Sequence, residues 1–149
     1  QLSGDLSITG RPELTTITAK TSGTRRHFHV ASGDSHTLTL KWLKLTGGDV
    51  TSTSGQGGSI YLEGPGTLHT TFCIFADNHA EYGGSISGAT GNLIQLYQTN
   101  ITDSTAQGSG GGVKVSSGDT LLFNSFLPNL YTSFILSAAS SQVHLSSKM

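Results

Sequence analysis

Residues 57–113 read GGSIYLEGPGTLHTTFCIFADNHAEY (57–82), GGSISGATGNLIQLYQTNITDSTAQGSG (83–110) and GGV (111–113), so one pattern runs twice and begins a third time. A glycine pair (Gly57/Gly58, Gly83/Gly84, Gly111/Gly112) precedes an aliphatic residue at Ile60, Ile86 and Val113. A small polar turn then leads to Leu68, Leu93 and Leu121, and a third apolar site follows at Phe75, Ile101 and Phe126. Self-similarity at about 26 residues is the mark of stacked coils, each one a supersecondary unit that cannot bury its apolar face alone.

Outside this stretch the chain also alternates apolar and polar residues, at 6–8, around Ile17, at 28–30, 38–40 and 43–45. Alternation sends every second side chain inward from a short strand. Only Lys41 and Trp42 separate two of these strands, which fits a bend between them. Tight Asn-Gly hairpin turns are absent between neighbours, and like residues recur once per three strands. Parallel stacking produces that recurrence, with Phe28 over Ile60, Leu38 over Leu68 and Leu45 over Phe75. The expected fold is all-β, a parallel β-helix of about four to five coils, roughly 25 Å long at about 4.8 Å per rung. It forms one domain over 1–149. The Ser/Thr-rich insertion 50–56 is expected to bulge outward, Pro12, Pro65 and Pro128 to fall in turns, and the tail at 134–136 and 143–145 to make a last coil.

The composition agrees: 20 of 149 residues are glycine and hydrophobic content is only 34%, as turns at every corner require. With a net charge of -1 and 11% charged residues, nucleic acid and anionic membranes are excluded as main partners. No apolar run reaches the ~20 residues that span a bilayer. Cys73 is the sole cysteine, which rules out an intrachain disulfide and suits a buried structural thiol. Asn100-Ile101-Thr102 is a glycosylation acceptor triplet. The chain opens at Gln1 with neither an initiator Met nor a signal sequence, which points to processing or to a piece of something longer.

GGSI at 57–60 and 83–86, FADN at 75–78 and FLPN at 126–129 resemble the GG-aliphatic and F-x-x-N repeats of the polymorphic outer-membrane proteins. Asn78 and Asn129 hold the repeat's asparagine, while the middle copy departs from it with Ile101-Thr102-Asp103-Ser104. The resemblance covers roughly residues 38–129. It implies a right-handed β-helix of the pectin-lyase-like kind, displayed outside the cytoplasm and often adhesive. Nothing in this stretch resembles that family's membrane barrel.

Glycines, ladder apolars and turn asparagines are explained by architecture alone. Four groups remain for chemistry. Asp77 and Asp103 fall at equivalent positions in adjacent coils, about 5 Å apart, where a carboxylate pair would suit calcium or acid and nucleophile roles in sugar hydrolysis. Arg25-Arg26-His27-Phe28-His29 is the densest cationic run, fitted to an acidic sugar or simply solvated. His27 and His29 alternate onto one face, with Asp34 or His36 as a third metal ligand. Trp42, Tyr61, Tyr82, Tyr97 and Tyr131 offer rings for a carbohydrate surface. An ice-binding face fails on register, because the column Thr37, Thr67, Asn92, Thr120 has Thr39, His69, Ile94, Leu122 beside it.

The expected function is a non-enzymatic interaction module, either adhesin-like or an accessory subunit in a larger assembly that covers the stack ends. Carbohydrate is the second partner class. The alternative is a polysaccharide lyase or glycosidase using Asp77 and Asp103.

Overall fold

In the computed structural model the described residues are 4–19, 23–33, 35–53, 55–124 and 142–146. The first described coil supplies β1 (Leu6–Thr9) and β2 (Thr15–Thr18). The second supplies β3 (Phe28–Val30), β4 (His36–Lys41) and β5 (Leu43–Thr46). The third holds β6 (Ile60–Leu62), β7 (Gly66–Thr71), β8 (Ile74–Ala76) and β9 (His79–Tyr82). The fourth repeats it with β10 (Ile86–Gly88), β11 (Leu93–Tyr97), β12 (Asn100–Thr102) and β13 (Thr105–Ser109). After these come β14 (Val113–Lys114), β15 (Thr120–Asn124) and β16 (Gln142–Ser146).

Every strand pair is parallel, and the chain is a β-solenoid of about four turns. The long sheet runs β1-β4-β7-β11-β15-β16, flanked by β3-β6-β10-β14, by β2-β5-β8-β12 and by the short pair β9-β13. Ile60 pairs with Ile86, Ile86 with Val113, and Phe28 with Ile60, as the repeat spacing predicts. Leu38 over Leu68 and Leu45 over Phe75 also hold. The tail strand continues the long sheet, with Val143 beside Leu121. Phe126, Asn129, Tyr131, Pro128 and residues 134–136 lie outside the described residues.

Two registers differ from the sequence expectation. Inward at the second site stands Ile94, not Leu93, because Leu68 pairs with Ile94 and Ile94 with Leu121. Leu93 faces out, so the outer column is Thr37, Thr67, Leu93, Thr120, and the next is Thr39, His69, Gln95, Leu122. Two adjacent aliphatics fitted the alternation equally, and the ladder chose the second.

The third glycine pair is also displaced by one. Gly57, Gly83 and Gly110 each stand three residues before the inward aliphatic, and all have positive φ (63°, 63° and 70°). Gly111 and not Gly112 is therefore the counterpart of Gly58 and Gly84. The second glycine of each pair serves a different need: a Cβ on Gly58 would strike the Gly84 carbonyl, and one on Gly84 the Gly111 carbonyl. Coils pass each other here at backbone contact, which only glycine permits.

The interior is a set of stacked apolar columns. Leu38, Leu40, Leu45, Ile60, Leu68, Phe75, Ile86 and Ile94 are fully buried, and each buried side chain of this size is worth about 1.5–3 kcal/mol. Thr70 breaks the Leu40–Leu96 column, and its hydroxyl is matched by Thr99 at 2.7 Å.

Asn78 explains the asparagine of the repeat. Its Oδ1 accepts from the Gly48 N–H (2.9 Å), while Nδ2 donates to the Leu45 carbonyl (3.2 Å) and to Ser85 Oγ (3.3 Å). One fully buried amide thus staples three coils. Ser104, which replaces the asparagine in the next copy, accepts from Ser85 Oγ at 2.8 Å and closes the network. The insertion 50–56 forms a 3₁₀ turn at Thr51–Thr53 whose Ser52 and Thr53 are exposed, as a bulge should be. Its base is anchored, though, with Val50 buried and Val50 N–H bonded to the His79 carbonyl.

Candidate binding faces

The corner between the long sheet and its neighbour sets the first face. Trp42, Phe72 and Gln98 occupy equivalent corner positions and all have positive φ (57°, 53°, 45°). That conformation costs an ordinary residue about 1–2 kcal/mol. Ring contacts offset part of it: Trp42 stacks on Phe72 at 4.0 Å and 4°, and Phe72 meets Tyr97 edge-on at 6.1 Å and 83°. Such pairs contribute about 0.5–1.5 kcal/mol each. Lys41 lies 6.0 Å from the Trp42 ring.

Beside this aromatic corner the outer face of β7, β11 and β15 holds a groove of about 360 Å³. Its outward lining is His69, Thr71, Gln95, Tyr97, Leu122 and Asn124. Tyr97 is 46% exposed, the most exposed large hydrophobic side chain among the described residues. Every polar group on the lining is an uncharged hydroxyl or amide or an imidazole. The groove can stack a flat apolar ring face and hydrogen-bond hydroxyls around it.

The rings expected to share one surface thus divide. Trp42 and Tyr97 meet through Phe72, which sequence reasoning missed together with His69, Gln95 and Asn124. Tyr61 instead projects from β6 on a different sheet, and Tyr82 ends β9. A usable signal existed, since Trp42 and Phe72 follow Lys41 and Thr71 at paired positions.

Tyr61 belongs to a cationic face. His29 stacks on it (5.3 Å, 17°), Arg26 lies 5.1 Å from its ring centroid, and Glu63 pairs with His29 Nε2 at 3.0 Å. His27 does not join His29. Its Nε2 donates to the Ile17 carbonyl (3.1 Å) and its Nδ1 accepts from Ser59 Oγ (3.0 Å), so the ring ties the first coil to the third. Burial pushes the His27 pKa below 6.5 despite the backbone bonds to Ile17 and Thr46 that raise it. With separate partners, His27 and His29 do not form a metal pair, and Asp34 lies outside the described residues.

Asp77 and Asp103 are in register, exposed, and both at φ 51°. Gly47, at φ 78°, occupies the same corner one coil earlier, and its N–H donates to the Asp77 carbonyl at 3.2 Å. The aspartates are therefore explained as left-handed corner residues, which Asp tolerates. Among the described residues no group of three His, Cys, Asp or Glu is placed to hold a metal ion. Cys73 is buried, its thiol facing the Leu40 carbonyl (3.4 Å), and burial raises its pKa. No described helix is long and apolar enough to cross a membrane.

No protein-family model matches the chain, and neither curated proteins nor solved structures show a match to it. The architecture is a parallel β-solenoid, and the likeness to polymorphic outer-membrane repeats is carried by the GG-aliphatic and F-x-x-N motifs alone.

Proposed function

We propose that this chain is a non-enzymatic interaction module that binds a neutral glycan in the groove of the long sheet. The observation that carries it is the exposed Tyr97 standing between the Trp42–Phe72 stack and a wall of uncharged donors and acceptors. Sugar rings offer a C–H face for the aromatic and hydroxyls for His69, Gln95 and Asn124. The repeat motifs support an adhesin-like, extracytoplasmic setting. The half-buried Leu6, Ile8 and Ile17 of the first coil also suit an accessory subunit whose stack end is covered in a larger assembly.

Binding to an immobilised neutral-glycan panel, followed by titration of the best oligosaccharide, tests the proposal. Tyr97→Ala should weaken binding about tenfold or more while lowering stability only by the edge contact with Phe72, about 0.5–1.5 kcal/mol, since the ring is half exposed. Unchanged binding by Tyr97→Ala, or no neutral-glycan binding at all, refutes it. Polysaccharide turnover abolished by Asp77→Gly/Asp103→Gly in a folded chain would favour the hydrolase or lyase alternative instead.

A further inference from the structure

The outer face of β3-β6-β10-β14 carries a second set of functional groups. His29, Tyr61, Ser87 and Lys114 are successive register partners across its rungs. Gln56 folds over them: its Oε1 accepts from Ser87 Oγ (3.1 Å) and Lys114 Nζ (3.3 Å), and its Nε2 reaches Tyr61 Oη at 3.5 Å. Lys114 Nζ also lies 4.5 Å from the Tyr82 ring centroid. Arg26 completes the cluster over Tyr61.

The charges on this face are unbalanced. Glu63 is the acid whose charge acts on Arg26, and its Oε2 is already hydrogen-bonded to His29 Nε2 at 3.0 Å. Arg26 makes no hydrogen bond or ion pair among the described residues, yet its guanidinium is half-buried. Desolvation lowers its pKa even against the attraction of Tyr61 and Glu63. The guanidinium takes no acceptor from the described residues and none of its nitrogens is sealed from solvent, so an arriving anion can reach its N–H donors. Lys114 has only neutral partners.

We propose that this face binds the oxyanions of an acidic polysaccharide, one sulfate or carboxylate on the Arg26 fork and the next on Lys114. A planar fork matches either oxyanion in two-pronged fashion, while an ammonium serves as a point charge. From Tyr61 to Lys114 is two rungs, about 10 Å at ~4.8 Å each, a span that two linked sugar rings cover. An acidic peptide is the competing occupant: strand addition is closed to it over β6 and β10, which are interior strands, and open only at the edges β3 and β14. The face is separate from the groove of the long sheet, and neither proposal depends on the other.

Calorimetric titration with dextran sulfate, polygalacturonate, unsubstituted dextran and polyglutamate at low salt tests it. Binding of dextran sulfate, polygalacturonate or both, with none to dextran, is expected, and which of the two binds names the oxyanion. Arg26→Gln should weaken that binding about tenfold and Lys114→Gln several-fold, and added salt should weaken it further. Tyr97→Ala should leave it unchanged. Should Arg26→Gln fold poorly, Lys114→Gln and the shift of the wild-type Arg26 Nε–H resonance on adding inorganic sulfate keep the test open. Wild-type affinity in the folded variants, an unmoved Arg26 resonance, or polyglutamate binding as tightly as the polysaccharides overturns the proposal.

Discussion

Replacing Asn78 by Ala removes the amide that joins three coils, and the structure allows the cost to be worked out. The Gly48 N–H loses its partner at a fully buried site, the Leu45 carbonyl loses a second donor but stays in the ladder between β2 and β8, and Ser85 keeps its bond to Ser104. An orphaned buried polar group costs about 1–3 kcal/mol. One such group, together with the weakened bonding of the Leu45 carbonyl and the space left by the amide, gives a loss of about 2 kcal/mol. A domain this size is stable by about 5–15 kcal/mol, so the change should be plain in urea unfolding followed by the fluorescence of Trp42, the sole tryptophan. Asn78→Asp separates hydrogen bonding from shape. Its carboxylate would face the Leu45 carbonyl, so its folded-state pKa is raised. The variant should therefore be weakest at neutral pH and regain stability as pH falls, since a protonated acid can again donate. The neighbour Asp77, exposed at φ 51°, provides the contrast: Asp77→Gly should stay within about 0.5 kcal/mol of wild type or gain slightly. A loss below 0.5 kcal/mol for Asn78→Ala would refute the staple.

Other consequences are as direct. The folded chain holds His27 neutral, so stability is retained at and above pH 6.5 and declines as pH falls from there toward the depressed folded-state pKa, where the unfolded chain alone takes the proton. An NMR titration of the His27 ring should give a pKa below 6.5, and a value at or above that contradicts the buried bridge between Ile17 and Ser59. Gly84→Ala places a Cβ against the Gly111 carbonyl and 2.6 Å from the Thr105 carbonyl, and should cost about 3 kcal/mol or prevent folding. Gly91→Ala, at φ 69° with only Pro65 nearby at 3.9 Å, should cost about 1 kcal/mol; equal losses in thermal melts would contradict the corner contact. Cys73 should react with a thiol reagent only as fast as the chain opens, in step with urea, and rapid labelling of the native protein would contradict its burial.

Much of this fold is legible because inward residues are constrained twice, by alternation along a strand and by the counterpart above. Ile60, Ile86 and Val113 announce themselves for that reason, as do Phe28, Leu38 and Leu45. Where a local choice was degenerate, only the ladder decides. Leu93 and Ile94 are both aliphatic, and the run Gly110–Gly112 has no internal marker of which pair turns the corner. The binding faces are less legible because outward residues obey no such double constraint. Phe72 was hidden by a left-handed conformation that no residue type advertises, and the Gln56–Ser87–Lys114 cluster depends on an insertion folding back across two coils. Asp77 and Asp103 stood out as chemistry on sequence, yet a glycine at the same corner shows that backbone geometry suffices to explain them.

The central claim is that strands about 26 residues apart lie parallel and in register, and paired cysteines on the outer face of β7 and β11 test it most directly. Thr67→Cys/Leu93→Cys and Thr71→Cys/Tyr97→Cys join direct register partners, whose rung spacing of about 4.8 Å falls within disulfide range. Both pairs should close under mild oxidation and keep the native unfolding transition. Closure instead of the crossed pairs, Thr67→Cys/Tyr97→Cys and Thr71→Cys/Leu93→Cys, would mean that the strands run in opposite directions and would contradict the parallel stack.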